Sequence, residues 1–263
     1  MDNALEYRKP STTVDNGLSQ LSDVNKIYRF SVRRHGPQNL LSWKNTNPKL
    51  GNLMTSALLL IDIQHDFLHG GALAVPNGNE VIPIANAMME RFDTVIATQD
   101  WHPAGHGSFA STHAKSQYEV IDLHGLPQVL WPDHCIQGTH GAEFHPTLHT
   151  DRFDQVIRKG SDPTVDSYSG FADNGGRIQT ELDESLRSKG IQTLYICGLA
   201  TDYCVKFTVL DALTRGYTVY LIVDGCRGVN QHIHDSQKAI LEMEKAGAKL
   251  IASVDVPNHR VQS

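Results

Sequence analysis

The chain is short of several things, and each shortage closes off a class of protein. It has four cysteines in 263 residues (Cys135, Cys197, Cys204, Cys226) and no apolar leader ahead of them. They read as reduced cytosolic thiols, not as the framework of a disulfide-stapled domain. Basic residues are in the minority, 23 Lys and Arg against 29 Asp and Glu, for a formal charge of −6. No general basic face is on offer to a phosphate backbone, so nucleic acid is excluded as an expected partner. Long apolar runs are missing too. The stretch ALLLI at 57–61 is typical of the longest, far below the roughly 20 residues of a membrane-spanning helix. Internal repeats and low-complexity tracts are absent. What remains is a globular composition, 40% hydrophobic with 21 Gly, long enough to bury the core of one large domain.

Organisation changes along the chain. Residues 1–53 are rich in Asn, Ser and Thr, lack periodicity, and carry 8 Lys and Arg against 4 Asp and Glu. They read as a loosely ordered extension, and residues 54–263 as the folded domain. From Met54 onward, short β-branched runs alternate with helical stretches. Strands are expected near 57–63, 94–98, 155–159, 193–199, 217–223 and 249–254. Continuous apolar runs suit strands covered on both faces. The expected fold is therefore a three-layer α/β/α architecture with an open, mostly parallel six-stranded sheet. Thr180 and Asp235 are candidate caps for helices that stop at Gly190 and Gly247. The helix after Thr201 carries apolar residues on several sides (Val205, Val209, Leu213, Tyr203, Phe207, Leu210) and reads as buried.

In such sheets ligands bind beyond the carboxyl ends of the strands. Four strand ends deliver reactive groups to that rim. The first ends at Asp62, the second runs into Asp100 and His102, the third ends at Lys159, and the fourth leads to Cys204. With Thr201 as N-cap, Cys204 would stand at the third helical position, where unpaired amides and the helix dipole favour a thiolate and could hold an oxyanion. Packing is the competing role for such a cysteine. Cys197 reads as core, and Cys135 and Cys226 as structural loop residues. Asp100 and His102, two apart in extended chain, project to one side, and His134 in the WPDHC loop offers a third metal ligand, with His106 and Asp133 in reserve. Three ligands with open positions describe a catalytic or substrate-binding metal site. Zinc fits one carboxylate and two imidazoles, and the same set tolerates iron or manganese.

Together these stretches resemble the nicotinamidases (pyrazinamidases) of the isochorismatase-like cysteine hydrolases. The resemblance rests on DIQHDF (62–67), GGALAVP (70–76), QDWHPAGHGSF (99–109), WPDHC (131–135), KGSDPTVDSYSGF (159–171), GLATDYCVKFTVLDAL (198–213) and DGCRGV (224–229). It implies a catalytic triad of Asp62, Lys159 and Cys204, and metal ligands Asp100, His102 and His134. It further implies an oxyanion hole from the backbone amides of Ala200 and Cys204, beside a cis peptide joining Leu199 to Ala200. Phe67, Trp131 and Tyr168 match positions that enclose the pyridine ring, and His106 matches a further histidine that some members add. The implied reaction is nicotinamide hydrolysis, with pyrazinamide also accepted, through a thioester, in a cytoplasmic protein that salvages NAD and is free to form homo-oligomers. His65 departs from the Asn of many members and is expected to alter hydration beside Asp62. Three other readings stay open: a related amide hydrolase with a different small substrate, a metal-hydroxide hydrolase in which Cys204 merely packs, and a non-enzymatic metal-binding scaffold.

Overall fold

The structure is a computed structural model that describes residues 55–260; the expectation for residues 1–53 lies outside them. Eight strands are present: β1 Thr55–Ile61, β2 Val95–Asp100, β3 Val120–Leu123, β4 Leu126–Val129, β5 Gln155–Lys159, β6 Ile191–Leu199, β7 Thr218–Arg227 and β8 Lys249–Ile251. Six form one sheet in the order β5-β2-β1-β6-β7-β8 with every pairing parallel. Their apolar runs are continuous because both faces are covered: Ala57 to Ile61 are each 0–1% exposed, and all of β2 is buried.

Among the described residues four α-helices of more than one turn accompany the sheet: α1 Val81–Met89, α2 Leu182–Ser188, α3 Lys206–Thr214 and α4 Asp235–Ala246. Right-handed crossovers in this strand order put α1 on one face and α2, α3 and α4 on the other. The Thr180 hydroxyl accepts the Leu182 amide at 3.2 Å, and Leu182 and Leu186 are buried below it. Asp235 is the first residue of α4 and takes the His232 amide at 2.8 Å, while Gly247 closes that helix at φ +116°. Helix α3 buries one side through Thr208, Val209 and Ala212, whereas Phe207, Leu210 and Leu213 are half-buried, so the expectation of a buried helix holds for one side only.

Other boundaries also move. Strand β1 stops at Ile61 because Asp62 turns into the left-handed region (φ 46°). Strand β8 is shorter than expected and β7 longer, so Cys226 lies within a strand and not in a loop. The antiparallel pair β3-β4 had no strand signal, being short and mixed in polarity; His124 and Gly125, both at positive φ, make its two-residue turn. Pairing between β6 and β7 slips beside Gly198, whose φ is +127° and where a Cβ would stand 2.2 Å from the Ile61 carbonyl oxygen. No side chain fits at that approach of β6 to β1, and the chain enters the site from there.

Candidate active site

Neighbouring strands end in register, with Asp100 opposite Lys159. Lys159 Nζ, fully shielded from solvent, lies 2.9 Å from Asp62 Oδ2, 3.0 Å from Asp100 Oδ1, 2.9 Å from the Ser167 carbonyl and 3.5 Å from Cys204 Sγ. One ammonium thus touches a carboxylate, a second carboxylate and the thiol. Burial alone would push that lysine down, but the charges of Asp100 and Asp62 outweigh it and hold its pKa well above the ordinary value. At Asp62 burial wins over charge instead. Desolvation raises its carboxyl above the usual range against the pull of Lys159, and the Thr98 hydroxyl donates to Asp62 Oδ1 at 2.6 Å.

The setting of Cys204 differs from the expected one. Thr201 is not a cap; Ala200 occupies that position in extended conformation, and Thr201–Val205 form a π-helical turn that becomes α3 at Lys206. The peptide joining Leu199 to Ala200 is cis. Burial pushes the Cys204 thiol well up, Lys159 offsets this in part, and the charges of Asp62 and Asp100 add to it. Desolvation thus outweighs the one ammonium beside the sulfur and shifts the thiol upward, against the expectation of a favoured thiolate.

Asp100, His102 and His134 also meet. His102 donates from Nδ1 to the Gly160 carbonyl at 2.8 Å, and His134 from Nδ1 to the Pro132 carbonyl at 2.8 Å. Both Nε2 atoms therefore face Asp100 Oδ2, at 3.1 and 3.5 Å. His102 Nε2 is buried without a hydrogen-bond partner, and the three ligand atoms lie within 4.8 Å of one another. Nearby, one buried ammonium stands against three buried carboxyl groups, since Asp166 is 2% exposed with Oδ1 4.0 Å from His102 Nε2. Burial draws His102 down, yet Asp100 raises it to about 9: the cradle takes a proton where a cation would sit. These residues fit a divalent metal ion.

The reserves do not join that set. His106 is engaged at both nitrogens, by Ser108 Oγ (2.7 Å) and the Asp162 carbonyl (2.8 Å), although it also falls within reach of His102 and Asp166. Asp133 is exposed and receives the Ser111 hydroxyl. Of the ring-enclosing candidates, Phe67 stands edge-on to His134 at 5.5 Å, and Trp131 donates to the Tyr168 hydroxyl at 3.1 Å. Tyr203 completes this wall, 4.7 Å from Trp131 and 5.4 Å from Tyr168; its place beside Cys204 was the available signal. His65 points away from Asp62 toward His140 and His145, so the expected effect on hydration is corrected.

Three supports were not among the expected site residues: Gln64, Gly160 and Thr98. Gln64 clamps the backbone of Asp100, accepting its amide at 2.7 Å and donating to its carbonyl at 2.8 Å, and donates again to the Ala142 carbonyl at 2.9 Å. Gly160, at φ +67°, brings its backbone so close that a Cβ would lie 2.5 Å from His102 Cε1. Thr98 shares the face of Asp100 by strand alternation, a signal that was there to use.

Comparison with known proteins agrees with this geometry. Residues 56–255 match the Isochorismatase domain. The chain is similar to a nicotinamidase of Escherichia coli (strain K12), 55% identical over 76% of this chain and 95% of that one. A solved nicotinamidase/pyrazinamidase of Acinetobacter baumanii superposes with a TM-score of 0.74 at 42% identity, covering 78% of this chain and 99% of the other. A Pyrococcus horikoshii pyrazinamidase solved in complex with zinc has a TM-score of 0.62 at 38% identity, with 75% and 98% covered.

Proposed function

The chain belongs to the isochorismatase family, and we propose that within it this protein is the amidohydrolase that converts nicotinamide to nicotinate and ammonia, with pyrazinamide as a second substrate. The observation that carries the reading is the single ammonium of Lys159 in contact with Asp62, Cys204 and the metal-ligand candidate Asp100. The 55% identity to a nicotinamidase supports the choice of substrate.

Asp62 accepts the thiol proton as the Cys204 sulfur attacks the carboxamide carbon. Because the resting thiol and carboxyl are both shifted upward by burial, this transfer belongs to the reaction itself. The carbonyl oxygen gains the electron pair and is held by the backbone amides of Ala200 and Cys204. Asp62 hands its proton to the amide nitrogen, the carbon–nitrogen bond breaks, ammonia leaves and a thioester remains. Water then gives a proton to Asp62 and attacks the thioester; nicotinate departs and the sulfur recovers its proton. Lys159 stabilises each anionic stage. Phe67, Trp131, Tyr168 and Tyr203 enclose the pyridine ring.

Asp100, His102 and His134 would hold a divalent ion, zinc before iron or manganese for this donor set, which when bound would supply a Lewis-acidic anchor for the substrate. The four free cysteines accord with a reducing, cytoplasmic setting, and among the described residues no helix is long and apolar enough to cross a membrane. Residues 54–263 are the catalytic unit on this reading, so a chain begun at Met54 is expected to retain activity. Ammonia release measured on nicotinamide, pyrazinamide and an N-carbamoyl amide tests the assignment. Preference for the carbamoyl compound would move the protein to a neighbouring amidase activity.

A further inference from the structure

One carboxylate of the DIQHDF stretch takes no part in the proposed reaction. Asp66 belongs to the short turn His65–Phe67 that follows β1, and it is half-buried. Its Oδ1 accepts the Ala72 amide at 3.1 Å, and its backbone carbonyl accepts the Leu73 amide at 2.9 Å. Those two bonds close the local loop. The other oxygen serves a residue 69 positions along the chain: Oδ2 accepts the Cys135 amide at 2.7 Å.

That amide stands between the two histidine ligands. It belongs to the peptide joining His134 to Cys135, and the Cys135 carbonyl accepts the His102 amide at 3.0 Å, while the Gln137 amide donates to the His102 carbonyl at 2.8 Å. The WPDHC loop is thereby tied to the end of β2 by a parallel bridge, His102 opposite Ile136. Cys135 needs an outside hold. It is fully buried in the left-handed region (φ 47°), which a residue with a Cβ keeps only where its surroundings impose it. A hydrogen bond to a carboxylate is roughly twice as strong as one between neutral groups. Gly141 leaves room for that carboxylate, since a Cβ there would overlap both of its oxygens.

We propose that Asp66 is a positioning residue for the metal centre: through the Cys135 peptide, its carboxylate fixes the backbone that carries both His102 and His134. The proposal rests on the reading of Asp100, His102 and His134 as metal ligands. Both side-chain hydrogen bonds of Asp66 go to backbone amides, so its influence on the ion travels through main chain. Loss of such a support weakens metal binding by about 10–100-fold.

Zinc affinity of the full-length protein, measured by competition with a chelator, tests this in Asp66→Ala, Asp66→Asn, Gly141→Ala and the Asp66→Ala/Gly141→Ala double variant. Asp66→Ala is expected to lose about 10–100-fold. Asp66→Asn keeps an oxygen for one amide and sets an NH2 against the other, so its loss should be smaller; it also keeps the test open if Asp66→Ala does not fold. Gly141→Ala displaces the carboxylate from the opposite side and should match Asp66→Ala. The double variant should bind no more weakly than Asp66→Ala, because both changes break one interaction. Hydrogen exchange at the Cys135 amide, followed by NMR, should quicken at least tenfold in Asp66→Ala. A residue that only closes the 66–73 loop would lower the melting temperature and leave zinc affinity and Cys135 exchange as they were. Wild-type affinity in the Asp66 variants, unchanged Cys135 exchange, or additive losses in the double variant overturns the proposal alone. A wild type that binds no zinc overturns the metal reading and the proposal with it.

Discussion

The two ends of the sheet are built on opposite principles. At the carboxyl end, Asp62, Asp100, Lys159 and Cys204 are packed almost without solvent, and each removes from water a group that would rather stay there. Toward the amino end, Tyr195 lies level with the first residue of β2, and Tyr220 with the first of β8. These rings stack 4.6 Å apart, and Phe92 and His259 close on Tyr195 at 5.1 and 4.7 Å. The His259 amide donates to the Arg91 carbonyl, strapping the chain's last described residues across this end. One end spends stability on reactivity, and the other supplies it through aromatic burial.

The comparison predicts that damage to the two ends will read out differently. Cys204→Ala is expected to lower nicotinamide turnover by on the order of 10⁴-fold or more, with melting temperature and metal content close to wild type. Near-normal turnover with bound metal would hand the chemistry to a metal hydroxide and leave Cys204 as packing. Phe92→Ala is the mirror experiment. Denaturant titration should show a loss of about 3–5 kcal/mol, while kcat/KM of the folded fraction holds; a collapse of kcat/KM would mean the ends are coupled.

Gly160→Ala should act first on the metal, with some loss of stability from the left-handed backbone. Its methyl would meet the His102 ring, and zinc affinity measured by competition with a chelator is expected to fall about 10–100-fold. The smallest effect is one of acidity. Burial lowers the pKa of His259, and its Nε2 is enclosed without a partner. A depressed imidazole favours the neutral form in the folded state, so its contribution is present above the unfolded value near 6.5 and is lost as pH falls through the folded value. His259→Phe should flatten the fall in stability between about pH 7 and 5, and an unchanged slope would remove His259 from the account.

How far this could be read in advance depended on the range of the interaction. Runs such as ALLLI and TLYICGL announced buried parallel strands because both faces of each are covered, and the strand-end rule then assembled Asp62, Asp100, Lys159 and Cys204 on one rim. The hairpin at 120–129, whose strands are only four residues each, gave too little periodicity to register. The cap expected at Thr201 was a local inference, and the local rule lost to a π turn. His65 could be placed next to Asp62 in sequence but not aimed.

Chain order alone determined which residues carry chemistry, which segments become strands, and that the reactive groups share one edge, because continuous apolar runs and strand direction are properties of neighbours along the chain. Only the tertiary structure decided that burial raises the Cys204 thiol, that Gln64 holds Asp100, and that His65 turns toward His140 and His145. The partners in those cases stand far apart in sequence, 36 residues for Gln64 and Asp100 and 45 for Lys159 and Cys204. The cost of removing each from water exists only once the fold has closed around it.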